Sequence, residues 1–288
     1  MSDRPTILIT GANGQLGMEF RSIEKDHSGY RFLFVSKDEL SIADDSSVNQ
    51  FFSENKIDHC VNCAAYTAVD KAESEKELAF EINGYAAGRL AAACKKNNAS
   101  FIHISTDYVF NGQGNRPYKE SDPTDPVNVY GASKLLGEQE AMKQHNGSII
   151  IRTSWVYSSY GKNFVKTMMR LMCEKESISV VNDQQGSPTY AKDLAEAVIK
   201  IIQKGNQPAG IYNYSNKGVI NWYEFAVEIK EIFKSKCNVN PVPSSQYPTP
   251  AKRPSYSVMD TSKIQQAFDI DIPAWKESLA KCMALLMI

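Results

Sequence analysis

Tyr130 and Lys134, in the run Tyr130-Gly131-Ala132-Ser133-Lys134, set a phenol and an ammonium one helical turn apart on one face of a helix. A phenol with an ordinary pKa of about 10 is a poor acid–base catalyst at neutral pH, and a lysine cation close by favours the phenolate and lowers that value. A tyrosine tuned in this way can hand a proton to a carbonyl oxygen as hydride reaches the carbonyl carbon. Tyr-x-x-x-Lys also recurs by chance on solvated helices, so its meaning depends on the elements around it.

Two further segments have chemistry in their spacing. Gly11-Ala12-Asn13-Gly14-Gln15-Leu16-Gly17 follows the apolar, β-branched run Thr6–Thr10 and leads into a helical pattern. Glycines spaced G-x-x-G-x-x-G between a strand and a helix let backbone approach a pyrophosphate at the positive helix N-terminus, and this is the first strand-to-helix turn of the chain. The spacing differs from G-x-G-x-x-G, and similar turns occur where nothing binds. Ile104-Ser105-Thr106-Asp107-Tyr108-Val109-Phe110 is a strand that ends in hydroxyl and carboxylate side chains. In a parallel sheet such ends face the ligand crevice, so the Thr106 hydroxyl is expected near Tyr130, although Ser105 and Thr106 could equally cap a helix.

The elements that must position these groups alternate. Strands are predicted at Thr6–Thr10, Arg31–Ser36, His59–Ala64, Phe101–Ser105 and Ser148–Thr153. Helices are predicted after the glycine turn, over Ser46–Asn55 behind serine caps, over about Glu75–Asn97 with a close-packing run of alanines, and around Tyr130. The expectation is an α/β fold, a doubly wound parallel sheet of Rossmann type, over residues 1–155. Beyond that point turn-rich stretches such as Asn182–Thr189 and Pro241–Pro254 imply a smaller substrate-binding lobe over 156–288, with segments that could cross back to the sheet.

Gly11, Gly14, Gly17, Thr106, Tyr130 and Lys134, in this order and these contexts, resemble the short-chain dehydrogenase/reductase superfamily of the extended type. The runs Cys63–Glu73, Ser105–Phe110, Arg152–Tyr157 and Asn182–Thr189, with Arg253-Pro254, are similar to the dTDP-4-dehydrorhamnose reductases across essentially the whole chain. The resemblance implies hydride transfer from NADPH or NADH to the C4 ketone of a dTDP-sugar. It gives Tyr130 as proton donor, Lys134 as the group that lowers its pKa and holds the nicotinamide ribose, and Thr106 as the residue that tunes the site and contacts the sugar. It places Asp107 and Trp155 on the sugar nucleotide, and Gly14, Gln15, Leu16, Asp44, Asp45, Ala65, Tyr66 and Thr67 along the cofactor. Gly11 and Asn13 of the glycine turn and Ser36 at the end of the second strand complete the expected cofactor set. Arg253 is a candidate cation for the diphosphate, and Gln184 and Gln185 for nucleotide contact. The second strand ends at Val35-Ser36-Lys37, without an acid to clasp a ribose 2′-hydroxyl, which makes NADPH as acceptable as NADH.

Two rival readings stand beside reduction. One is an epimerase or dehydratase of the same superfamily acting on another sugar nucleotide, although Asp107 lacks the neighbouring glutamate a dehydratase would use. The other is a regulatory role, since a eukaryotic homologue of this fold serves as the regulatory subunit of methionine adenosyltransferase. In some relatives carboxylates and a divalent cation pair the subunits; Glu19 fits one such place, but Lys192 stands where an acid would be needed. No metal is therefore expected, and a homodimer is left open.

Composition narrows the classes further. The formal net charge is −1 over 288 residues, with 32 basic and 33 acidic side chains, which argues against an electrostatic nucleic-acid or membrane binder. Met1–Arg4 runs directly into a strand without a leader pattern, and no apolar run reaches the roughly 18 residues a spanning helix needs, so a cytoplasmic protein is expected. Of six cysteines only Cys60 and Cys63 are close, and as C-x-x-C within a strand they read as buried thiols. The four histidines, His27, His59, His103 and His145, have no metal-ligand spacing.

Overall fold

Six strands, all parallel, form the central sheet of the computed structural model, which describes residues 4–205 and 208–287. Met1–Asp3, part of the predicted leaderless N-terminus, lie outside the described residues. Five strands come from the first half of the chain: β1 (Thr6–Thr10), β2 (Arg31–Val35), β3 (His59–Asn62), β4 (Ser100–Thr106) and β5 (Ile149–Thr153). The sixth, Gly210–Tyr214, comes from the second half and pairs with β5. The spatial order is β2, β1, β3, β4, β5 and then Gly210–Tyr214. The chain therefore reverses its direction of winding between β1 and β3, and the carboxyl ends of those two strands define the crevice where such sheets take ligands.

Strand alternation divides the core into two layers. Ile7, Ile9, Val61, Ile102, Ile149 and Ile151 face the helices Gln15–Ile23 and Ala191–Gln203, whereas Leu8, Cys60, Phe101 and Ile150 face Asp45–Glu54 and Ala86–Lys96. A third apolar cluster lies outside the sheet. There Phe164–Glu174, Trp222–Phe233 and Trp275–Leu286 pack around the paired strands Ser177–Val181 and Asn238–Val242. Among the described residues no helix is long and apolar enough to cross a membrane.

Three local departures from the predicted elements have identifiable causes. β3 stops at Asn62, short of Ala64, because the Ala64 amide donates to the Asn62 and Thr10 side chains instead of to a neighbouring strand. Cys63 thus leaves the strand; it is half-buried, while Cys60 is buried. The second helix starts at Asp45, and its cap is Asp44, whose carboxylate accepts from the Ser46 amide at 2.9 Å; the serines do not cap it. The long helix runs from Lys76 to Lys96 but widens to a π-turn over Glu81–Tyr85, at the poor helix formers Asn83 and Gly84.

Candidate functional site

The glycine turn makes its approach possible through missing side chains. Gly11 has φ +64°, and a Cβ there would meet the Ala64 amide nitrogen at 2.7 Å, so the end of β1 sits directly against the end of β3. Gly17 plays the packing role, since a Cβ would meet Ala12 Cα at 2.6 Å. Asn13 and Gly14 are exposed, and the Gln15–Ile23 helix begins with no side-chain cap on its first amides. Gln15 reaches across to the second half of the chain, accepting from Asn163 Nδ2 at 2.9 Å. The Leu16 side chain belongs to the apolar core, so only its backbone is available to a ligand.

Tyr130, Thr106, Asp107 and Lys134 come together at the C-terminal end of β4. Asn128 caps the Val129–Gln144 helix by accepting from the Gly131 amide, and Gly131 lets that helix press on the Tyr108 carbonyl, where a Cβ would collide. The Thr106 side chain lies beside the Tyr130 phenol, and the Tyr130 ring packs edge-on to Tyr108 with centroids 5.8 Å apart. Thr106 does both things expected of it as alternatives. It accepts from the Tyr108 amide, capping a short 3-10 turn, and it faces Tyr130. Its hydroxyl also donates to Asp107 Oδ1 at 3.0 Å, while Asp107 Oδ2 is buried with no hydrogen-bond partner. Burial pushes the Asp107 carboxyl up to about 6, against the hydrogen bond from Thr106 and the nearby Ser257 hydroxyl.

The tyrosine–lysine relation differs from the expected one. Burial pushes the Tyr130 phenol up to about 12, offset in part by the neighbouring Thr106 hydroxyl. The Lys134 amine is committed elsewhere, donating to the Ile104 carbonyl at 2.6 Å and lying 3.3 Å from His103 Nε2. Burial brings Lys134 itself down to about 8, with Glu138 and Cys63 opposing. The phenol consequently keeps its proton across the neutral range, as a proton donor requires, and is not lowered by Lys134.

Other expected contacts are placed less simply. Asp44 caps its helix through Oδ1, and the exposed Asp45 lies 3.3 Å from Arg89 in an ion pair. After β2 the chain turns back so that Glu39 accepts from the Ser36 amide at 2.8 Å, which supplies at the strand end the carboxylate that Val35-Ser36-Lys37 lacks. Ala65, Tyr66 and Thr67 follow the β3 end, and the buried Asn83 holds them: its Oδ1 accepts from the Tyr66 amide at 2.8 Å and its Nδ2 donates to the Tyr66 carbonyl and to Ser133. Tyr66 also donates its hydroxyl to Glu75. Arg253 is not free surface charge. It makes a two-pronged bond to Asp70, at 3.1 and 2.9 Å, and its loop is tied to the Tyr130 helix by Asn128 donating to the Lys252 carbonyl. Trp155, with φ +47°, stacks on Trp222 with ring centroids 3.6 Å apart, and Gly186 leaves room for its indole. Gln184 is half-buried and Gln185 is exposed, its backbone pairing with Ser255 and Ser257.

Residues 5–288 match the family described as RmlD substrate binding domain. The chain belongs to that family. It is 45% identical to the spore coat polysaccharide biosynthesis protein SpsK of Bacillus subtilis, covering 95% of both chains, and 39% identical to the dTDP-4-dehydrorhamnose reductase of Aggregatibacter actinomycetemcomitans, over 96% of this chain and 98% of that one. A solved dTDP-4-dehydrorhamnose reductase from Bacillus anthracis in complex with NADP superposes with a TM-score of 0.94 at 41% identity, over 98% of this chain and 99% of the other.

Asn83, His103, Asn128, Asp70 and Trp222 contact the expected site residues or the segments that carry them and were not singled out as such by sequence reasoning. For Asn128 the signal was available, an Asn three residues before an amide at a helix start. Asn83-Gly84 in mid-helix also marked an irregularity. Asp70 and Trp222 have no local signal, because their partners lie 183 and 67 residues away in sequence.

Proposed function

We propose that this chain is a dTDP-4-dehydrorhamnose reductase, which reduces the C4 ketone of dTDP-4-dehydro-L-rhamnose to give dTDP-L-rhamnose with NADPH or NADH. The observation that carries the chemical reading is the meeting of Tyr130, Thr106 and Lys134 at the C-terminal end of β4, on a chain 39% identical to a reductase of that name over nearly its whole length.

The dinucleotide fits the glycine turn, where a side chain on Gly11 would collide with the opposite strand end and no side chain caps the first helix amides. When bound, it supplies hydride to the ketone carbon. Everything else falls to the protein. Thr106 orients the ketone oxygen beside Tyr130, and Tyr130 gives that oxygen its proton, the phenol O–H breaking as the new alcohol O–H forms. Lys134 anchors the same helix face and approaches the ribose. Trp155 offers an aromatic face to the sugar nucleotide, and Arg253 offers a guanidinium for its diphosphate. The position of Glu39 at Ser36 bears on the choice between NADPH and NADH, which parallel assays with the two coenzymes decide.

The test is spectrophotometric. With NADPH and dTDP-4-dehydro-L-rhamnose, absorbance of the reduced nicotinamide should fall, and Tyr130→Phe should slow the fall by 10²-fold or more, the scale of a lost general acid. Sugar isomerisation without coenzyme consumption would overturn the reading in favour of an epimerase.

A further inference from the structure

The loop after Trp155-Val156-Tyr157 belongs to the second half of the chain, yet it closes over the first turns of the helix Gln15–Ile23. Ser158 Oγ donates to the buried Glu19 at 2.6 Å, and Asn163 Nδ2 donates to Gln15 Oε1 at 2.9 Å. Gly161, with φ +66°, lies so near the Gln15 stem that a Cβ would stand 3.0 Å from Gln15 Cγ. The two hydrogen bonds join residues 139 and 148 positions apart.

Two backbone groups fix which end of the Asn163 amide faces which way. Its Oδ1 accepts from the Lys166 amide at 3.1 Å, as the N-terminal cap of the Phe164–Glu174 helix, and its Nδ2 donates to the Ser158 carbonyl at 2.7 Å. A backbone N–H cannot accept and a carbonyl cannot donate, so turning this amide over would break both bonds and oppose like groups. Of the two protons on Nδ2, one serves Ser158 and the other is aimed at Gln15; the Tyr160 carbonyl, at 3.4 Å, is a more distant acceptor of the same group. The end of Gln15 that meets Asn163 is therefore its oxygen. Among the described residues the Gln15 NH2 then has a single protein acceptor, the Val156 carbonyl at 3.5 Å, at the limit of hydrogen-bond length. A half-buried amide donor thus stands at the first residue of the helix that follows the glycine turn, where a dinucleotide places its diphosphate.

We infer that Asn163 is a positioning residue for coenzyme binding: by holding Gln15 Oε1 it keeps the Gln15 NH2 as the end available to the diphosphate. Diphosphate oxygens accept and do not donate, so a glutamine that presented its oxygen would oppose them. Because Asn163 also starts the Phe164–Glu174 helix, the coenzyme site is completed by the second half of the chain.

The inference rests on the reductase reading for the presence of a dinucleotide, and its test is binding, not turnover. Fluorescence of the reduced nicotinamide gives Kd for NADPH and NADH with the full-length protein. Asn163→Ser keeps a hydroxyl cap for the helix but has no amide to offer Gln15; it should weaken coenzyme binding about tenfold, the scale of one charge-assisted hydrogen bond. Gln15→Met, of similar length and without the amide, should weaken it to a similar extent. In the double variant the losses should overlap at about tenfold, against the roughly hundredfold expected of independent sites. Calorimetric affinity of Asn163→Ser for dTDP should stay within about twofold of the parent, a split that collapse of the loop would not produce. Unchanged coenzyme affinity in Asn163→Ser, additive losses in the double variant, or a parallel loss of dTDP affinity would each overturn the inference. Should Asn163→Ser not fold, Gln15→Glu answers the same question, since it keeps an oxygen for Asn163 and puts a second oxygen in place of the NH2. Coenzyme affinity equal to the parent's in that variant overturns the inference, and a loss of about tenfold or more bears it out. A parent protein that binds dTDP and neither coenzyme overturns the reductase reading and this inference with it, an outcome distinct from the others.

Discussion

At the scale of single residues, the site holds two side chains displaced from their ordinary protonation by burial in opposite senses. Asp107 is raised and Lys134 is lowered, so each keeps its charge over a narrower range of pH than it would in water. For Asp107 the consequence is thermodynamic. The folded protein binds the Asp107 proton more tightly than the unfolded chain does, so its contribution to stability is fully present below about pH 4 and is lost as pH rises through about 6. The loss is about 3 kcal/mol from the difference in the two values. Asp107→Asn should therefore gain on the parent between pH 4 and pH 7, by up to that amount. Urea midpoints at the two pH values check this, and parallel curves would mean that the carboxyl ionises freely.

At the scale of elements, the helix Val129–Gln144 is instructive because its buried residues are Gly131, Ser133, Lys134, Gly137, Glu138 and Ala141. A hydrophobic periodicity cannot reveal such a helix, and in the sequence it was legible only through Tyr130 and Lys134. Its inner face is polar because it meets polar groups. Glu138 takes both prongs of Arg152, at 2.9 and 2.7 Å, and the Ser105 hydroxyl at 2.5 Å, with both ionic side chains 2% exposed. Replacing Glu138 by Ala would leave Arg152 as a buried uncompensated charge and should cost about 3–5 kcal/mol. Gly137 gives a second test. A methyl there would fall on the Asn83 carbonyl and 3.2 Å from His103 Nε2. Gly137→Ala should destabilise by about 1–3 kcal/mol although alanine is the better helix former, and chemical denaturation reads the sign directly.

At the scale of the whole molecule, the two halves of the chain are joined by an ion pair between residues 183 positions apart. Asp70, on the short helix Val69–Ala72, holds Arg253 near the end of the Pro-rich stretch, and the guanidinium in turn holds the Asp70 carboxyl below its usual range. Both partners keep substantial solvent contact, 24% for Arg253 and 40% for Asp70, so the pair adds little to folding. Arg253→Ala should change stability by less than about 1 kcal/mol while raising KM for the nucleotide sugar tenfold or more, as loss of a charge-assisted phosphate contact would. Thermal melts and initial rates measured on the same preparation separate the two effects. The return of Gly210–Tyr214 to the sheet and of Ala191–Gln203 to the layer beside Gln15–Ile23 ties the second half of the chain to the first in the same way.

The sequence by itself determined what depends on near neighbours and on period. Five strands of the sheet, their parallel arrangement, the glycine turn and the Tyr130–Lys134 spacing all follow from residues within a turn or a strand of one another. The tertiary structure alone decided what those groups touch. Lys134 meets His103 instead of acidifying Tyr130, Arg253 meets Asp70, Trp155 meets Trp222, and Asp44 serves as a helix cap. Apart from that cap, these contacts join residues separated by 31 to 183 positions. Their partners are chosen by strand register and by the crossovers of the chain, and a local pattern of residue types does not encode either.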